Sequence, residues 1–244
     1  MLSIYGKTIK GVIFDAVGTI MDPSPSVSEV YAAAGLRQGI ALNVGVVKQR
    51  FRQAFSRLES SEGQGPLVTS EQIERRRWRR IVDDCLPEVP DPERAFEELW
   101  DHFGRPESWQ AFPEAGWTMK LLSSAGYSVV VASNFDGRLR PVLQGIDELA
   151  VWADSVVISS EVGRKKPHPQ FYEATCRRLG LAPQQVLCVG DDEENDWNGP
   201  RRAGLSALLV DRGRSPSGPS GRLAQLDELL ELLLGQRSAG SVCL

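Results

Sequence analysis

The stretch GVIFDAVGT, residues 11–19, decides the fold of this chain. Its apolar run VIF leads directly into Asp15, and a short segment with Gly18 and Thr19 follows. A run that is apolar at successive positions, rather than at alternate ones, is typical of a parallel strand covered by helices on both faces. Open parallel sheets bind their ligands beyond the carboxyl ends of the strands. The stretch therefore predicts such a sheet, with Asp15 at its ligand-binding edge.

The second half of the chain repeats this pattern. Apolar runs predict strands at residues 10–14, 127–132, 155–159, 186–189 and 205–210. Helical patterns predict helices at residues 114–124, 136–144, 170–179, 195–203 and 223–234. This alternation predicts an α/β fold with a doubly wound parallel sheet and right-handed crossovers. A surface loop is predicted at residues 215–222, and a frayed terminus from about residue 236.

Residues 23–109 interrupt the alternation. They contain no convincing strand and about four amphipathic helix patterns, among them residues 46–58, 71–85 and 92–103, with a loop at residues 60–67. Ser70 and Asp91 are suitable N-cap residues, and Pro92 suits a first helical turn. An all-helical block directly after the first strand predicts an inserted cap. The expected division is a core domain of residues 1–22 and 110–244 and a cap domain of residues 23–109.

Polar residues follow three of the predicted strands. The first strand ends at Asp15, the second at Ser133 and Asn134, and the fourth at Asp191 and its neighbours. Because the carboxyl ends of parallel strands meet at one edge of the sheet, we expect these side chains to share one site.

Four motifs resemble those of the haloacid dehalogenase superfamily. VIFDAVGTIMD resembles motif I, for which phosphatase members carry DxDGT, and VVVASN resembles motif II, with Ser133 in its Ser/Thr position. GRKKPHPQFY resembles motif III, with Lys166 before proline, and VLCVGDDEENDWNGPRRAG resembles motif IV, with Asp191 and Asp196 in GDxxxxD. The motifs occur in the family's order over nearly the whole chain. The resemblance implies a Rossmann-like core, a type I helical cap and hydrolase chemistry.

The resemblance also implies a role for each motif residue. Asp15 is the expected nucleophile, which would form an aspartyl-phosphate. Mg²⁺ is the expected cofactor, held by Asp15, the backbone carbonyl of Val17 and Asp191, with Asp196 binding through water or orienting Asp191. These oxygen ligands are the type that Mg²⁺ prefers.

The remaining motif residues are expected to contact the phosphoryl group. Lys166 would add positive charge beside its oxygens, and Ser133 would donate a hydrogen bond to one of them. Backbone N–H groups at Gly18 and Asn134 would complete the phosphate-binding cradle.

Motif I departs from the phosphatase pattern at Val17, where the family carries a second Asp. That Asp protonates the leaving oxygen and later activates water, and losing a general acid typically costs ~10²–10⁴ in rate. The loss slows hydrolysis when the leaving group is an alkoxide, and has little effect on the rate for an acyl, enol or aryl phosphate. One subgroup of the family also lacks this Asp and carries SNFDxRL at motif II. Residues 133–139 of this chain, SNFDGRL, resemble that segment.

Two other reactions in the superfamily also dispense with this Asp. In 2-haloacid dehalogenases motif I resembles DAYGT and motif IV resembles SxNxWD, and the reaction needs no metal. Here the five carboxylates of GDDEEND would repel one another without a cation, which favours Mg²⁺. Phosphonoacetaldehyde hydrolase uses a cap lysine, and Lys48 is the only lysine in residues 23–109. A non-catalytic relative that keeps the site without turnover is a further alternative.

Composition limits the classes of partner. The net charge of −4 and pI of about 5.4 give no electrostatic case for nucleic acid or membrane binding. The four cysteines are scattered and no apolar segment is long enough to span a bilayer, so a soluble, cytoplasmic protein is expected. The expected partner is a small phosphorylated substrate, and the sequence carries no signal for oligomeric state.

Several cap residues have two interpretations. The segment ERRRWRR, residues 74–80, is predicted to be a solvated helix. The alternative is that one of its arginines faces the cleft and sets substrate choice. His102 is a conceivable substitute acid, but a structural histidine is the favoured interpretation. Trp78, Trp100, Trp109 and Trp117 are predicted to be packing residues.

Overall fold

The computed structural model describes residues 3–4, 7–62, 67–213 and 221–235. The strands are β1 (Ser3–Ile4), β2 (Lys7–Thr8), β3 (Gly11–Phe14), β4 (Met21–Pro23), β5 (Trp109–Ala111), β6 (Ser128–Ser133), β7 (Val157–Ile158), β8 (Val186–Gly190), β9 (Ser206–Val210) and β10 (Arg222–Leu223). The helices are α1 (Val27–Arg37), α2 (Val44–Glu62), α3 (Glu71–Cys85), α4 (Pro92–His102), α5 (Ala115–Ser124), α6 (Leu139–Gln144), α7 (Ser159–Val162), α8 (Pro169–Leu179), α9 (Gly199–Arg202) and α10 (Glu228–Leu234). Within these described ranges, no helix has both the length and the apolar character needed to cross a membrane.

Six parallel strands form the central sheet in the order β10-β9-β8-β3-β6-β7. Strand β3 lies between β6 and β8, and Phe14 is in register with Val131 on one side and Val189 on the other. Asp15 therefore leaves the sheet at the same edge as the residues that follow β6 and β8. The predicted doubly wound parallel sheet is confirmed.

Alternate residues of the central strands enter two hydrophobic clusters. Val12 and Phe14 belong to one cluster, whereas Ile13 between them belongs to the other. Strand β8 divides in the same way, with Leu187 and Val189 in the first cluster. Because both faces of the sheet are covered, these strands are apolar at every position.

Two predicted elements are shorter than expected at the sheet edges. The strand predicted at residues 155–159 is reduced to β7, because Ser159 begins α7 and its Oγ donates to the carbonyl of Phe135 at 3.1 Å. The helix predicted from residue 223 begins instead at Glu228. Leu223 lies in β10 and pairs with Val210 of β9. The Glu228 carboxylate accepts hydrogen bonds from the N–H groups of residues 224 and 225.

Two other helices also begin elsewhere than predicted. The helix predicted at residues 136–144 begins at Leu139, because Asp136 and its two successors form a turn. The helix predicted at residues 195–203 is a π-helix, Glu193–Asn198, followed by α9. Asp192 starts the π-helix by accepting the N–H groups of Glu194 and Asn195.

Helices α1–α4 form a block between β4 and β5 with its own hydrophobic cluster. The predicted N-caps are confirmed: Ser70 accepts from the N–H of Ile73, and Asp91 from that of Arg94. Helix α2 continues through Glu62 into the predicted loop, of which residues 63–66 lie outside the described residues. So do residues 215–220 of the other predicted loop and the chain end from residue 236.

Strands β4 and β5 pair antiparallel where the chain leaves and rejoins the sheet region, with Pro23 opposite Trp109. We propose that this two-stranded ribbon is the junction between the core of residues 1–22 and 110–244 and a cap of residues 23–109. No strand was predicted within residues 23–109, but the ribbon places a short strand at each end of this range.

The helical block contacts the rest of the chain at a bridge and a carboxylate. Val68 and Arg164 form an isolated antiparallel bridge. Glu71 Oε1, at the start of α3, accepts from the backbone N–H of Gly137 at 2.9 Å and from Ser160 Oγ at 2.5 Å. These contacts hold the start of α3 against the strand ends of the sheet.

A third contact comes from the SNFDGRL segment. Asp136 is fully buried and accepts from Arg138 Nε at 2.7 Å and Nη2 at 2.8 Å. Arg138 Nη1 donates to the carbonyl of Trp100 in α4 at 2.8 Å, and its guanidinium lies 3.4 Å from the centroid of the Trp100 ring. The ion pair therefore connects the turn after β6 to the helical block.

We predict that Asp136→Ala lowers the free energy of unfolding by about 3 kcal/mol, because removing one partner of a buried ion pair leaves the other charge uncompensated. Urea unfolding followed by circular dichroism measures the change. Asp147→Ala, at an exposed position after α6, is the matched control and should lie within about 0.5 kcal/mol of the parent chain. Equal stability of the two variants would contradict the structural role given to Asp136.

Candidate active site

The carboxyl ends of β3, β6 and β8 open into a cavity of about 580 Å³ between the sheet and the helical block. Seven of the sequence-predicted site residues line it: Asp15, Val17, Ser133, Asn134, Lys166, Asp191 and Asp196. Ser133 is buried at the end of β6, next to Asn134. The structure thus brings these predicted residues together.

Lys166 lies between two carboxylates. Its Nζ is 2.7 Å from Asp15 Oδ1 and 2.7 Å from Asp196 Oδ1, and all three side chains are almost entirely buried. Burial alone would lower the pKa of Lys166, but the charges of Asp15 and Asp196 outweigh burial and raise it well above its ordinary value. Lys166 is therefore a cation throughout the physiological range.

Asn134 holds Lys166 in place through the backbone. Its Nδ2 donates to the Lys166 carbonyl at 3.0 Å, and its Oδ1 accepts from the Lys166 N–H at 2.7 Å. The side chain of Asn134 is thus occupied in positioning Lys166. A contact with a phosphate, as predicted from the motif, would fall to its backbone.

Three carboxylates surround one point of the cavity floor. Asp15, Asp191 and Asp196 each place an oxygen within 4.8 Å of the other two. Burial raises the pKa of Asp196 above its ordinary value, and the charge of Asp15 adds to the effect. Partial burial also raises the pKa of Asp191, to about 7, and the charges of Asp15 and Asp196 add to the effect. Clustered oxygen donors with excess negative charge fit a small divalent cation such as Mg²⁺.

Gly18 differs from its expected role. Its N–H donates to the carbonyl of Met21 at 2.9 Å and to Asp22 Oδ1 at 3.1 Å, so this donor is used within the turn after β3 rather than in a phosphate cradle. Gly18 has φ of +84°, and a Cβ there would overlap the carboxylate of Asp191. Its contribution is to let Asp191 approach the turn, where Thr19 Oγ1 donates to Asp191 Oδ1 at 3.3 Å.

Asp196 is fixed from two sides. It accepts from Lys166 Nζ and from the N–H of Asp192 at 3.2 Å. Gly190, at the end of β8, leaves the room that Asp196 needs, since a Cβ there would overlap its carboxylate. The GDDEEND segment therefore presents Asp191 and Asp196 to the cavity and uses Asp192 to cap its own helix.

Arg212 is a site residue that the sequence analysis missed. It follows β9 and donates from Nη2 to the carbonyl of Thr19 at 2.7 Å, and from Nη1 to Glu114 Oε1 at 2.6 Å. It thereby supports the turn that carries Gly18. The carboxyl-edge rule could have found it, because Arg212 lies two residues beyond a predicted strand.

Val17 places an apolar side chain where phosphatases of the predicted family carry their second Asp. It is partly buried, packs against the larger hydrophobic cluster and lines the cavity. His102 does not line this cavity. It packs edge-on against Phe103, and burial lowers its pKa, which agrees with the structural interpretation.

The prediction of a solvated helix at residues 74–80 is wrong for two of its residues. Glu74 is 3% exposed and Arg77 is 7% exposed, and Arg77 lines the cavity. Glu74 accepts from Thr69 Oγ1 at 2.5 Å, and its carboxylate lies 3.7 Å from the Arg77 guanidinium, which also contacts the ring of Phe55. The partner carboxylate three residues away allows this arginine to face inward.

Aromatic side chains form much of the cavity wall. Six of the residues concerned are Tyr31, Phe51, Phe55, Trp78, Trp100 and Trp109. The three tryptophans were predicted to be packing residues, and each does pack against its neighbours. They also border the space above Asp15, which the sequence did not indicate.

We predict that Lys166→Met lowers the free energy of unfolding in EDTA at neutral pH by about 3 kcal/mol, because the substitution leaves Asp15 and Asp196 adjacent without a counter-charge. Urea unfolding measures the change. Lys120→Met, at an exposed position in α5, is the control and should differ from the parent chain by less than about 0.5 kcal/mol. A Lys166→Met variant as stable as the control would contradict the stabilising role given to Lys166.

Comparison with known proteins places these features in a family. The family model for haloacid dehalogenase-like hydrolases matches residues 9–204, which confirms the resemblance drawn from the four motifs. Haloacid dehalogenase-like hydrolase domain-containing protein 3 of Mus musculus is 29% identical over 202 residues, covering 81% of this chain and 80% of that protein.

A phosphatase and a dehalogenase are also among the similar proteins. Phosphoglycolate phosphatase of Escherichia coli is 30% identical over 222 residues, covering 85% of this chain and 83% of that protein. The crystal structure of a defluorinating L-2-haloacid dehalogenase superposes with a TM-score of 0.74 at 18% identity, covering 94% of this chain and 96% of that one. The structural likeness shows a shared fold.

Proposed function

The chain belongs to the haloacid dehalogenase-like hydrolase family, and we propose that it is a Mg²⁺-dependent phosphatase acting on a small phosphorylated metabolite. The observation that carries the proposal is the cluster of Asp15, Asp191 and Asp196 beside the buried Lys166. Similarity to a phosphoglycolate phosphatase over 85% of the chain supports it.

The residues that would hold Mg²⁺ are Asp15, Asp191, Asp196 and the backbone carbonyl of Val17. Their oxygen atoms are the hard donors that this ion prefers. The three carboxylates lie close together, and Lys166 contacts two of them, Asp15 and Asp196. When bound, Mg²⁺ would offset the repulsion between the phosphate and these carboxylates.

Asp15 is the proposed nucleophile. Its carboxylate oxygen would form a bond to phosphorus as the bond to the leaving oxygen breaks, and water would then hydrolyse the aspartyl-phosphate to phosphate. Lys166, held by Asn134, would keep its charge beside the phosphoryl oxygens, and Ser133 would donate a hydrogen bond to one of them. The N–H of Gly18 is omitted from this role because it is bonded within its turn.

Two alternative reactions receive less support from the cavity. Dehalogenation needs no metal ion, which would leave the three clustered carboxylates without the divalent cation that their combined charge favours. A phosphonatase would need a lysine of the helical block at the cavity, whereas Lys48 is exposed on α2 and does not line it. A non-catalytic, Mg²⁺-binding relative remains the alternative that the assay below separates.

We propose a cytoplasmic location for this chemistry. Three cysteines within the described residues, Cys85, Cys176 and Cys188, are buried free thiols, which is typical of a reducing compartment.

We predict that the purified chain releases phosphate from acetyl phosphate and p-nitrophenyl phosphate in Mg²⁺, and that EDTA abolishes the activity. Asp15→Asn is the matched control, since it keeps the size of the side chain and removes its nucleophilic charge; kcat should fall at least about 10³-fold. Activity that survives EDTA or the substitution would contradict the proposed mechanism. An absence of turnover in the parent chain would favour the non-catalytic relative.

We predict that Val17→Asp raises kcat/KM for an alkyl phosphate such as glycerol phosphate by about tenfold or more, because it restores a carboxyl group that can protonate an alkoxide. Activity toward p-nitrophenyl phosphate should change little, since that leaving group needs no proton. Val17→Asn is the control for polarity and size without an ionisable group. An equal effect of both substitutions, or none, would show that the missing acid does not limit the reaction.

A further inference from the structure

The cavity above Asp15 has a charged floor and an aromatic wall. We propose that it selects aryl phosphates, that is, phosphate monoesters whose leaving group is a planar ring bonded through a phenolic oxygen. This inference rests on the proposed phosphatase function and names the substrate class of the same site.

The wall offers flat surfaces to a ligand. Phe51 stacks on Trp78 with a centroid distance of 6.4 Å and an interplanar angle of 26°, and on Phe55 with 6.0 Å and 21°. All three side chains are only partly buried, and all three line the cavity. Nearly parallel rings with accessible surface are suited to stacking against another ring.

Apolar side chains also line the cavity beside its charged floor. Val17 lies two residues from Asp15 and lines the cavity. Trp109 and Phe135 also line it, and their rings pack edge-on with a centroid distance of 5.8 Å. The position of the missing acid is thus occupied by a side chain that contacts hydrocarbon and donates no proton. A phenolate delocalises its charge into the ring and leaves without protonation, unlike an alkoxide.

The size of the cavity separates aryl esters from the other phosphates that need no acid. About 580 Å³ falls in the range of pockets that enclose drug-sized ligands. An acyl or enol phosphate of a few atoms would fill only a small part of this space and leave most of its aromatic lining without contact. A phosphate carrying one or two fused rings matches both the charged floor and the aromatic wall.

The reaction balances with water as the only co-substrate. An oxygen of Asp15 forms a bond to phosphorus while the bond between phosphorus and the phenolic oxygen breaks, and the electron pair leaves with that oxygen. Water then attacks the aspartyl-phosphate, giving inorganic phosphate and the free carboxylate, and the proton that water loses neutralises the phenolate.

The test compares 2-naphthyl phosphate with phenyl phosphate and acetyl phosphate on the full chain in Mg²⁺. The two phenolic leaving groups have closely similar acidity, so the ratio of their kcat/KM values reports the contact made by the second ring. We expect a ratio of about ten or more, as burial of a further aromatic ring implies. Trp78→Leu should lower this ratio about fivefold or more, because it removes a ring against which the second ring would stack.

Trp117→Leu is the matched control, because Trp117 lies in α5 and does not line the cavity; it should leave the ratio unchanged. If Trp78→Leu does not fold, as judged by circular dichroism, Phe55→Leu replaces it. A ratio near one with Asp15-dependent turnover of all three compounds overturns the aryl preference and leaves the phosphatase proposal intact. An absence of turnover of every compound, acetyl phosphate included, overturns the phosphatase proposal itself. A high ratio that survives the wall substitutions overturns the assignment of the preference to this wall.

Discussion

The site depends on the placement of one buried ammonium group between two carboxylates. Lys166 contacts Asp15 from the central strand and Asp196 from the motif after β8, so it joins segments separated by 151 and 30 residues. Neighbouring residues hold this contact in place. Asn134 fixes the backbone of Lys166, and Gly190 provides the space in which Asp196 approaches it. Without such a cation, three acidic groups at one sheet edge would oppose folding.

Much of the fold could be predicted from the sequence because its cause is local. The strands are covered on both faces, which requires apolar residues at successive positions, and the carboxyl-edge rule then brings Asp15, Ser133 and Asp191 together. What the sequence could not reveal depends on tertiary partners. Leu223 joins the sheet because β9 offers an edge to pair with. Arg77 faces inward because it pairs with Glu74, whose carboxylate also accepts from Thr69. The N–H of Gly18 likewise donates to Met21 and Asp22 within its turn, which the motif alone did not indicate.

The cavity joins two environments that favour different parts of a ligand. Its floor carries the charges of Asp15, Asp191 and Lys166, whereas its wall consists largely of aromatic carbon. Val17 lies at the boundary between them and replaces an acid with hydrocarbon. A phosphate with an apolar ring would satisfy both halves, and a small hydrophilic phosphate would satisfy only the floor.

The helical block is attached to the sheet region by chemically different contacts in separate places. These are the backbone bridge of Val68, the carboxylate of Glu71 and the stacking of Arg138 on Trp100. A rotation about the β4–β5 ribbon large enough to admit a fused ring would break all of them at once. Because these contacts would have to break together, we expect the block to open in one step rather than to loosen gradually, and a ligand that fills the space between block and sheet to dissociate slowly.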